Sequence, residues 1–354
     1  MWLINSSIGR KLVMAVTGVC LVLFVTFHVL MNAVALLWPT AYNQVCEFLG
    51  ANWYALVASV GLAALFIIHI IYAVWLTLQN RAARGSDRYA VTTRPPQVEW
   101  ASKNMLVLGI VILAFLVVHL IQFWAKMQLV ELRHAELAAL PVLNGAPVPP
   151  AQGTLFLEMA FKETWTPVVY IIGFIALWFH MNHGFWSMFQ SAGWNNQNWL
   201  PRLKTIACWW TSIVVGLFII QAVVFTIQAK NDFFSKDLAL QEQYAEYWEE
   251  HATALRENFD GQMTGVQNEL QGKMEKGEMT MVDAQNKFNE ALKEYAVPFI
   301  EQMIIVEKAM EVHCPDVPAG MELSQTVAMS KQLQNQMLAQ GIEIKGVEQP
   351  KTNK

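Results

Sequence analysis

Five long apolar runs separated by short polar connections occupy the first 230 residues, and a far more charged pattern with helical period occupies the rest. The runs cover 12–38, 53–78, 105–123, 168–189 and 206–227, and none contains Asp, Glu, Lys or Arg. Each approaches or exceeds the roughly 20 residues that cross a bilayer as a helix. Hydrocarbon offers no partners to backbone N–H and C=O groups, so a helix, which pairs them within the segment, is the expected form. The first run is too long for a cleavable leader and lacks a small-residue cleavage site, so it is expected to remain as the first span. Further on, 235–295 reads as two or more amphipathic helices, with Pro298 expected to end the stretch. The segment HCPDVPAG (313–320) reads as a loop and 321–340 as another helix. The expected fold is all-α: a five-helix integral membrane bundle over 1–229 and an acidic, mainly helical extramembrane tail over 230–354.

Charge follows the same division. Residues 1–229 carry a balance of +5 and residues 230–354 one of −9, which together give the net −4 of the 354-residue chain. Only 15% of residues are charged, against about a quarter in a soluble protein. Such a composition excludes a disordered chain, and the modest net charge gives no sign of nucleic-acid binding. Lys and Arg concentrate in alternate connections: Arg10 and Lys11 before the first span, Arg81, Arg84, Arg88, Arg94 and Lys103 between spans two and three, Arg202 and Lys204 between four and five. The 39–52 connection, read as a loop, has none. By the positive-inside rule the N-terminus is cytoplasmic, and five crossings place the tail outside. Trp2, Trp38, Trp53, Trp100, Trp124, Trp165, Trp186 and Trp194 fall near span ends, as an interfacial aromatic belt requires.

Histidine is the one ionisable type well represented inside the spans: His28, His69, His119, His180 and His183, on four different spans. An ionisable group within a membrane is a functional candidate by default. Depth sorts them. At a rise of 1.5 Å per residue, His28 lies about 25 Å above Lys11 and His119 about 24 Å above Lys103. On the oppositely directed spans, His69 lies about 18 Å from Arg81 and His180 about 15 Å from Gln190. An outer pair, His28 with His119, and an inner pair, His69 with His180, result. This is the arrangement expected for two haems, each clamped between helices by two axial imidazoles. Two neutral imidazoles fill both axial positions of an iron and favour electron transfer. No Cys-x-x-Cys-His occurs, so the expected cofactor is non-covalent haem b, two per chain. Zinc is disfavoured, because no site gathers the Cys or carboxylate ligands it prefers. Thr17, Leu21, Phe24 and His28 share one face of span one, the stripe of an ordinary bundle or of an inward-facing ligand helix. Gly18, Gly61, Gly109, Gly173 and Gly216, one per span, fit close helix packing or room for a flat cofactor, with packing favoured.

These residues resemble a known family. Residues 1–228 are similar to the five-helix, two-haem cytochrome b subunit that anchors bacterial succinate dehydrogenase or fumarate reductase. The stretch SSIGRKLVMAVTGVCLVLFVTFHVLMN resembles that family's first helix, with Thr17-Gly18 ahead of His28, and FHMNHGFWSMFQSAGW its fourth histidine-bearing helix. The resemblance implies that His28 and His119 ligate the haem distal to the soluble subunits, and His69 and His180 the proximal one. The spacing to Gly184 favours His180 over His183, which is left to contact a propionate or to pack. Arg10, Lys11, Arg202 and Lys204 are candidates for propionate neutralisation, the plainer reading being that they set topology. Glu47 resembles an acid the family uses at its quinone site, although its spacing from His28 does not match. The family implies flavoprotein and iron–sulfur partners on the cytoplasmic side carrying the succinate/fumarate chemistry, and menaquinone as the expected quinone. It also implies the bacterial cytoplasmic (inner) membrane as location, and a dimer of the complex is a further possibility.

Two other readings use the same residues. One is a haem b membrane subunit of a hydrogenase or formate dehydrogenase; the other is a transporter whose spans carry structural or proton-carrying histidines. The latter calls for polar, interrupted spans around a midplane site, and these spans have few polar residues besides His. The charge runs of the tail read as a solvated face, with partner binding as the alternative. Cys46 and Cys314, both expected outside, could pair or remain free thiols.

Overall fold

The structure, a computed structural model, describes residues 6–50, 52–84, 99–194 and 196–347. Trp2, Arg88 and Arg94 lie outside the described residues. Twelve α-helices are found among them: α1 (Ser7–Leu37), α2 (Pro39–Gly50), α3 (Trp53–Arg84), α4 (Trp100–His119), α5 (Gln128–Leu132), α6 (Gly153–Phe161), α7 (Thr166–Ser191), α8 (Trp199–Lys230), α9 (Phe233–Lys236), α10 (Leu238–Glu275), α11 (Met281–His313) and α12 (Met321–Ala339). A π-helical turn, Leu120–Trp124, extends α4. A 3-10 turn, Leu137–Ala139, and one two-stranded antiparallel hairpin, β1 (Val142–Leu143) with β2 (Ala146–Pro147), complete the elements described. Five helices, α1, α3, α4 with its π turn, α7 and α8, are long and apolar enough to cross a membrane. The chain is thus all-α and compatible with a multi-pass membrane protein.

The chain divides into two compact units: Met1–Arg133 with Pro150–Phe233, and His134–Pro149 with Phe234–Lys354. The first holds the five long helices. α8 is its central element, with 39% of its apolar window buried, whereas α3 has none buried and lies at the periphery. α7 packs on α8, α4 and α1. Phe174 of α7 stacks on Phe218 of α8 at 5.1 Å, and Phe115 of α4 meets Tyr170 of α7 edge-on at 5.0 Å.

Within the connection read as a loop, Pro39–Gly50 is a helix. Pro39 supplies a pre-set φ at its first position, and Tyr42 and Asn43 are buried in the packing of α2 against α6. Asn43 Oδ1 accepts from both the backbone N–H and the hydroxyl of Thr154 at 2.9 Å, fastening the start of α6, whose residues are almost all buried. A polar residue five places past the end of the first apolar run therefore ties this connection to α6.

The second unit is built on α10, α11 and α12. Tyr244, Trp248 and Ala252 of α10 are fully buried in one unit with Ile300, Met303 and Val306 of α11 and Met337 of α12, and Phe259 stacks on Phe299 at 5.0 Å. Pro298 does not end a helix: it lies inside α11. An interior Pro loses one backbone bond, and the buried residues on both sides of it, Ala296, Phe299 and Ile300, hold the helix together through packing. Gly277 ends the α10 turn with φ +70°, and the Glu278 N–H reaches back to the Lys273 carbonyl, a Schellman closure. The hairpin 142–147 turns on Asn144 and Gly145, both with positive φ, as a two-residue primed turn demands. It belongs to this unit, and the α7 and α8 spans separate it from the tail in sequence. Two crossings return the chain to the same side, so the grouping is consistent with both being membrane spans. Cys46 and Cys314 do not pair; all four cysteines are free.

His313, the last residue of α11, is fully buried. Its ring lies near the backbone of Ala146 and Pro147 without completing a hydrogen bond, and burial holds its pKa below the ordinary value. The unfolded chain therefore takes up a proton below about pH 6.5 that the folded unit resists, and stability falls as pH falls through that point. Hydrogen exchange across 238–339 in the full chain, corrected for intrinsic rates, is expected to accelerate between pH 7 and 5. His313→Leu should flatten that dependence. An unchanged slope in the variant would show that other groups set it.

Candidate functional site

The five intramembrane histidines come from four of the long helices: His28 from α1, His69 from α3, His119 from the end of α4, and His180 and His183 from α7. The structure brings them together in pairs. His28 and His119 have ring centroids 5.7 Å apart with planes at 83°, and His69 and His180 are 6.3 Å apart at 65°. A metal about 2.0 Å from one nitrogen of each ring would set two imidazole centroids about 6 Å apart.

Hydrogen-bond direction determines which ring nitrogen carries the proton. The Thr17 hydroxyl has one hydrogen, directed at the backbone carbonyls of Val13 (2.9 Å) and Met14 (3.2 Å). Its oxygen, 3.1 Å from His69 Nδ1, therefore accepts from that nitrogen, and His69 Nε2 is left bare. The same logic applies to His119. The Tyr170 hydroxyl donates to Gln122 Oε1 at 2.9 Å, so its oxygen accepts from His119 Nδ1 at 3.2 Å. Gln122 in turn donates to Thr166 Oγ1 at 3.0 Å. For His28, the Asn32 amide donates to Nε2 at 3.2 Å while the Tyr42 hydroxyl donates to Asn32 Oδ1 at 3.3 Å. The lone pair of His28 is thus on Nε2, spoken for by Asn32. His180 Nδ1 is buried with no hydrogen-bond partner, an unmet group of the kind that marks a functional position.

His183 is engaged elsewhere. Its Nδ1 is 3.3 Å from Glu99, the residue before α4, and Lys204 forms an ion pair with the other oxygen of that carboxylate at 2.7 Å. Lys204 also sits 4.4 Å above the Trp186 ring. Partial burial raises the Glu99 pKa, but the hydrogen bonds and charges of Lys204 and His183 outweigh it and hold the carboxylate below its ordinary range. Glu99, unremarkable in sequence, is what gathers Lys204 and His183.

The other basic candidates have aromatic neighbours: Arg10 lies 5.4 Å from the Trp75 ring and Arg202 lies 5.5 Å from Trp199, while Lys11 is exposed. Glu47 is exposed on α2. Its charge adds to burial in raising the pKa of Glu131, which sequence reasoning passed over. The partners of the paired histidines, Asn32, Tyr42, Gln122 and Tyr170, were also passed over. The signal for Gln122 was its position as a lone amide within an apolar run.

The span glycines serve three different ends. A Cβ on Gly173 would come within 2.5 Å of Phe115, so this glycine permits close α4–α7 packing. Cβ atoms on Gly18 and Gly109 would lie 4.0 Å from His69 Cε1 and 3.9 Å from His180 Cε1, so both glycines flank the inner pair. Those on Gly61 and Gly216 would meet nothing within 4 Å. Packing, the favoured reading for all five, accounts for Gly173.

Comparison with protein-family profiles, characterised proteins and solved structures gives no match. Among the described residues, no three His, Cys, Asp or Glu side chains converge on a position that could hold a metal ion. Each histidine pair brings two imidazole rings together, edge to face.

Gly173→Ala is expected to destabilise the bundle by about 1–3 kcal/mol through overpacking against Phe115. Gly61→Ala, with open space around it, should be neutral or slightly stabilising. Thermal unfolding of the full chain in detergent measures both; equal effects would contradict this division of roles.

Proposed function

We propose that the chain is a di-haem cytochrome b membrane subunit that passes electrons between an iron–sulfur partner and membrane quinone, as the anchor of a succinate:quinone oxidoreductase. The observation that carries this reading is the pairing of four intramembrane imidazoles, from four helices, at separations that suit one metal per pair. A bare ion ordinarily takes three or four protein ligands, whereas a haem would ask only two imidazole nitrogens of the protein, which His28 with His119 and His69 with His180 would supply. His69 and His119 each keep a proton on Nδ1 and leave Nε2 bare, as a haem ligand must. Gly18 and Gly109 leave space beside the inner pair, and the unmet Nδ1 of His180 belongs to the same site.

Bound in these positions, haem b would supply one-electron carriers at two depths of the membrane. The protein's part is to hold and orient. Thr17 orients His69, Tyr170 orients His119, and loading the outer pair requires the Asn32 amide to release His28 Nε2. Neutral imidazoles avoid placing charge in hydrocarbon. Arg10, Lys11 and Arg202 would balance propionates at the inner ends of α1 and α8, while Lys204 is already matched by Glu99. The resemblance of the sequence to the succinate dehydrogenase and fumarate reductase anchors supplies the partners, the quinone and the bacterial inner membrane. Glu47 together with Glu131 is the acid pair proposed for the outer quinone chemistry.

The full chain, purified in detergent, should show a reduced-minus-oxidised b-type spectrum with two haems per chain. His28→Ala and His119→Ala should lose the same haem, His69→Ala and His180→Ala the other, and His183→Ala neither. A colourless protein grown with ample haem would refute the reading. Co-purification with a flavoprotein and an iron–sulfur protein that oxidise succinate separates it from a hydrogenase or formate dehydrogenase subunit.

A further inference from the structure

We propose that Tyr170, held by Gln122 and Thr166, is a positioning residue for the outer site: its oxygen accepts a hydrogen bond from the Nδ1–H of His119 and so keeps Nε2 available as a ligand. The inference rests on the bis-imidazole reading above and deepens it.

Four side chains form a continuous relay. His119 Nδ1 is 3.2 Å from the Tyr170 oxygen, Tyr170 is 2.9 Å from Gln122 Oε1, and Gln122 Nε2 is 3.0 Å from Thr166 Oγ1. Gln122 and Thr166 are buried, and Tyr170 is fenced by the rings of Phe115, Phe161 and Phe174 at 5.0, 5.2 and 5.9 Å. A phenol so enclosed keeps its hydroxyl in one place. Gln122 lies in the π turn that begins directly after His119, an irregularity of the kind found at functional sites.

The relay is directional. Tyr170 has one hydroxyl proton and two neighbours that could use it. Given to Gln122, it leaves the phenolic oxygen to accept from His119, and Nε2 is bare. Given to His119, with the Gln122 amide reversed, it would put the imidazole proton on Nε2 and close that nitrogen to a metal. Gln122 thus acts on His119 through Tyr170, by drawing the phenolic proton away. An acceptor that is itself a donor in a chain is a stronger acceptor, and a hydrogen bond from the outer nitrogen of a ligating imidazole raises its basicity. The inner pair is differently supported: Thr17 serves His69, and His180 Nδ1 has no partner. The effect of Tyr170 should therefore be confined to the outer site.

The test uses the full chain with its haems and three variants, Tyr170→Phe, Gln122→Leu and the double variant, read by haem retention and by the midpoint potential of each haem. Tyr170→Phe should hold the outer haem about 10- to 100-fold less tightly, the usual cost of losing such a supporting partner. Any outer haem retained should have a raised potential, and the inner haem should be unchanged. Gln122→Leu should do at least as much harm, because the phenolic proton then turns to His119. That extra harm requires Tyr170, so the double variant should resemble Tyr170→Phe alone rather than the sum of the two. A merely structural role predicts additive losses that touch both haems. Tyr170→Phe and Gln122→Leu both retaining two haems at wild-type potentials, or adding independently, would overturn this inference alone. Wild-type protein without haem would overturn the functional reading and this inference with it.

Discussion

An imidazole inside hydrocarbon has to stay neutral and has to have both ring nitrogens accounted for. The arrangement of the long helices answers that requirement for one nitrogen each of His28, His69 and His119, and leaves His180 Nδ1 without a partner. Burying an unpaired charge or a bare polar group in a membrane is costly, and four histidines on four spans multiply the demand. Their polar support comes from a small set of residues: Thr17 for His69, Tyr170 with Gln122 for His119, Asn32 with Tyr42 for His28. The α2 and α6 segments that cover the 39–52 and 125–167 connections are tied to the same system, since α2 supplies Tyr42, and Phe161 of α6 packs on Tyr170 at 5.2 Å.

The supports are unequal. The outer pair is set among tyrosines and amides, while the inner pair has one hydroxyl, one unmet nitrogen and two flanking glycines. Two histidine pairs with different hydrogen-bonding neighbours are two chemically distinct environments within one bundle. The charged cluster of Glu99, Lys204 and His183 adds fixed polarity at the cytoplasmic end expected from the basic connections.

Much of this was legible in sequence because hydrocarbon allows few options. Runs of 19 or more apolar residues without charge have to be helices, and all five appear. The depths of His28, His69, His119 and His180 follow from helical rise alone. What was not legible depended on contacts distant in sequence. The 39–52 segment looks like a connecting loop until Asn43 is seen to accept from Thr154, 111 positions away. Pro298 reads as a helix end by a local rule, which the packing around it overrides. The Asn144-Gly145 turn is the exception: its dipeptide is a strong hairpin signal that was there to be read. Gln122 and Tyr170 could be picked out as polar groups in apolar spans, but their partnership with His119 needed the π turn and the α4–α7 contact.

The central claim is that each histidine pair clasps a haem. Its most direct test is a cryo-EM map of the full chain, purified with its natural partners from cells supplied with haem. The account predicts two planar densities, one between His28 and His119 and one between His69 and His180, each continuous with both rings. Side chains or lipid filling the space between either pair, with the imidazoles bonded only to Asn32, Thr17 and Tyr170, would contradict it.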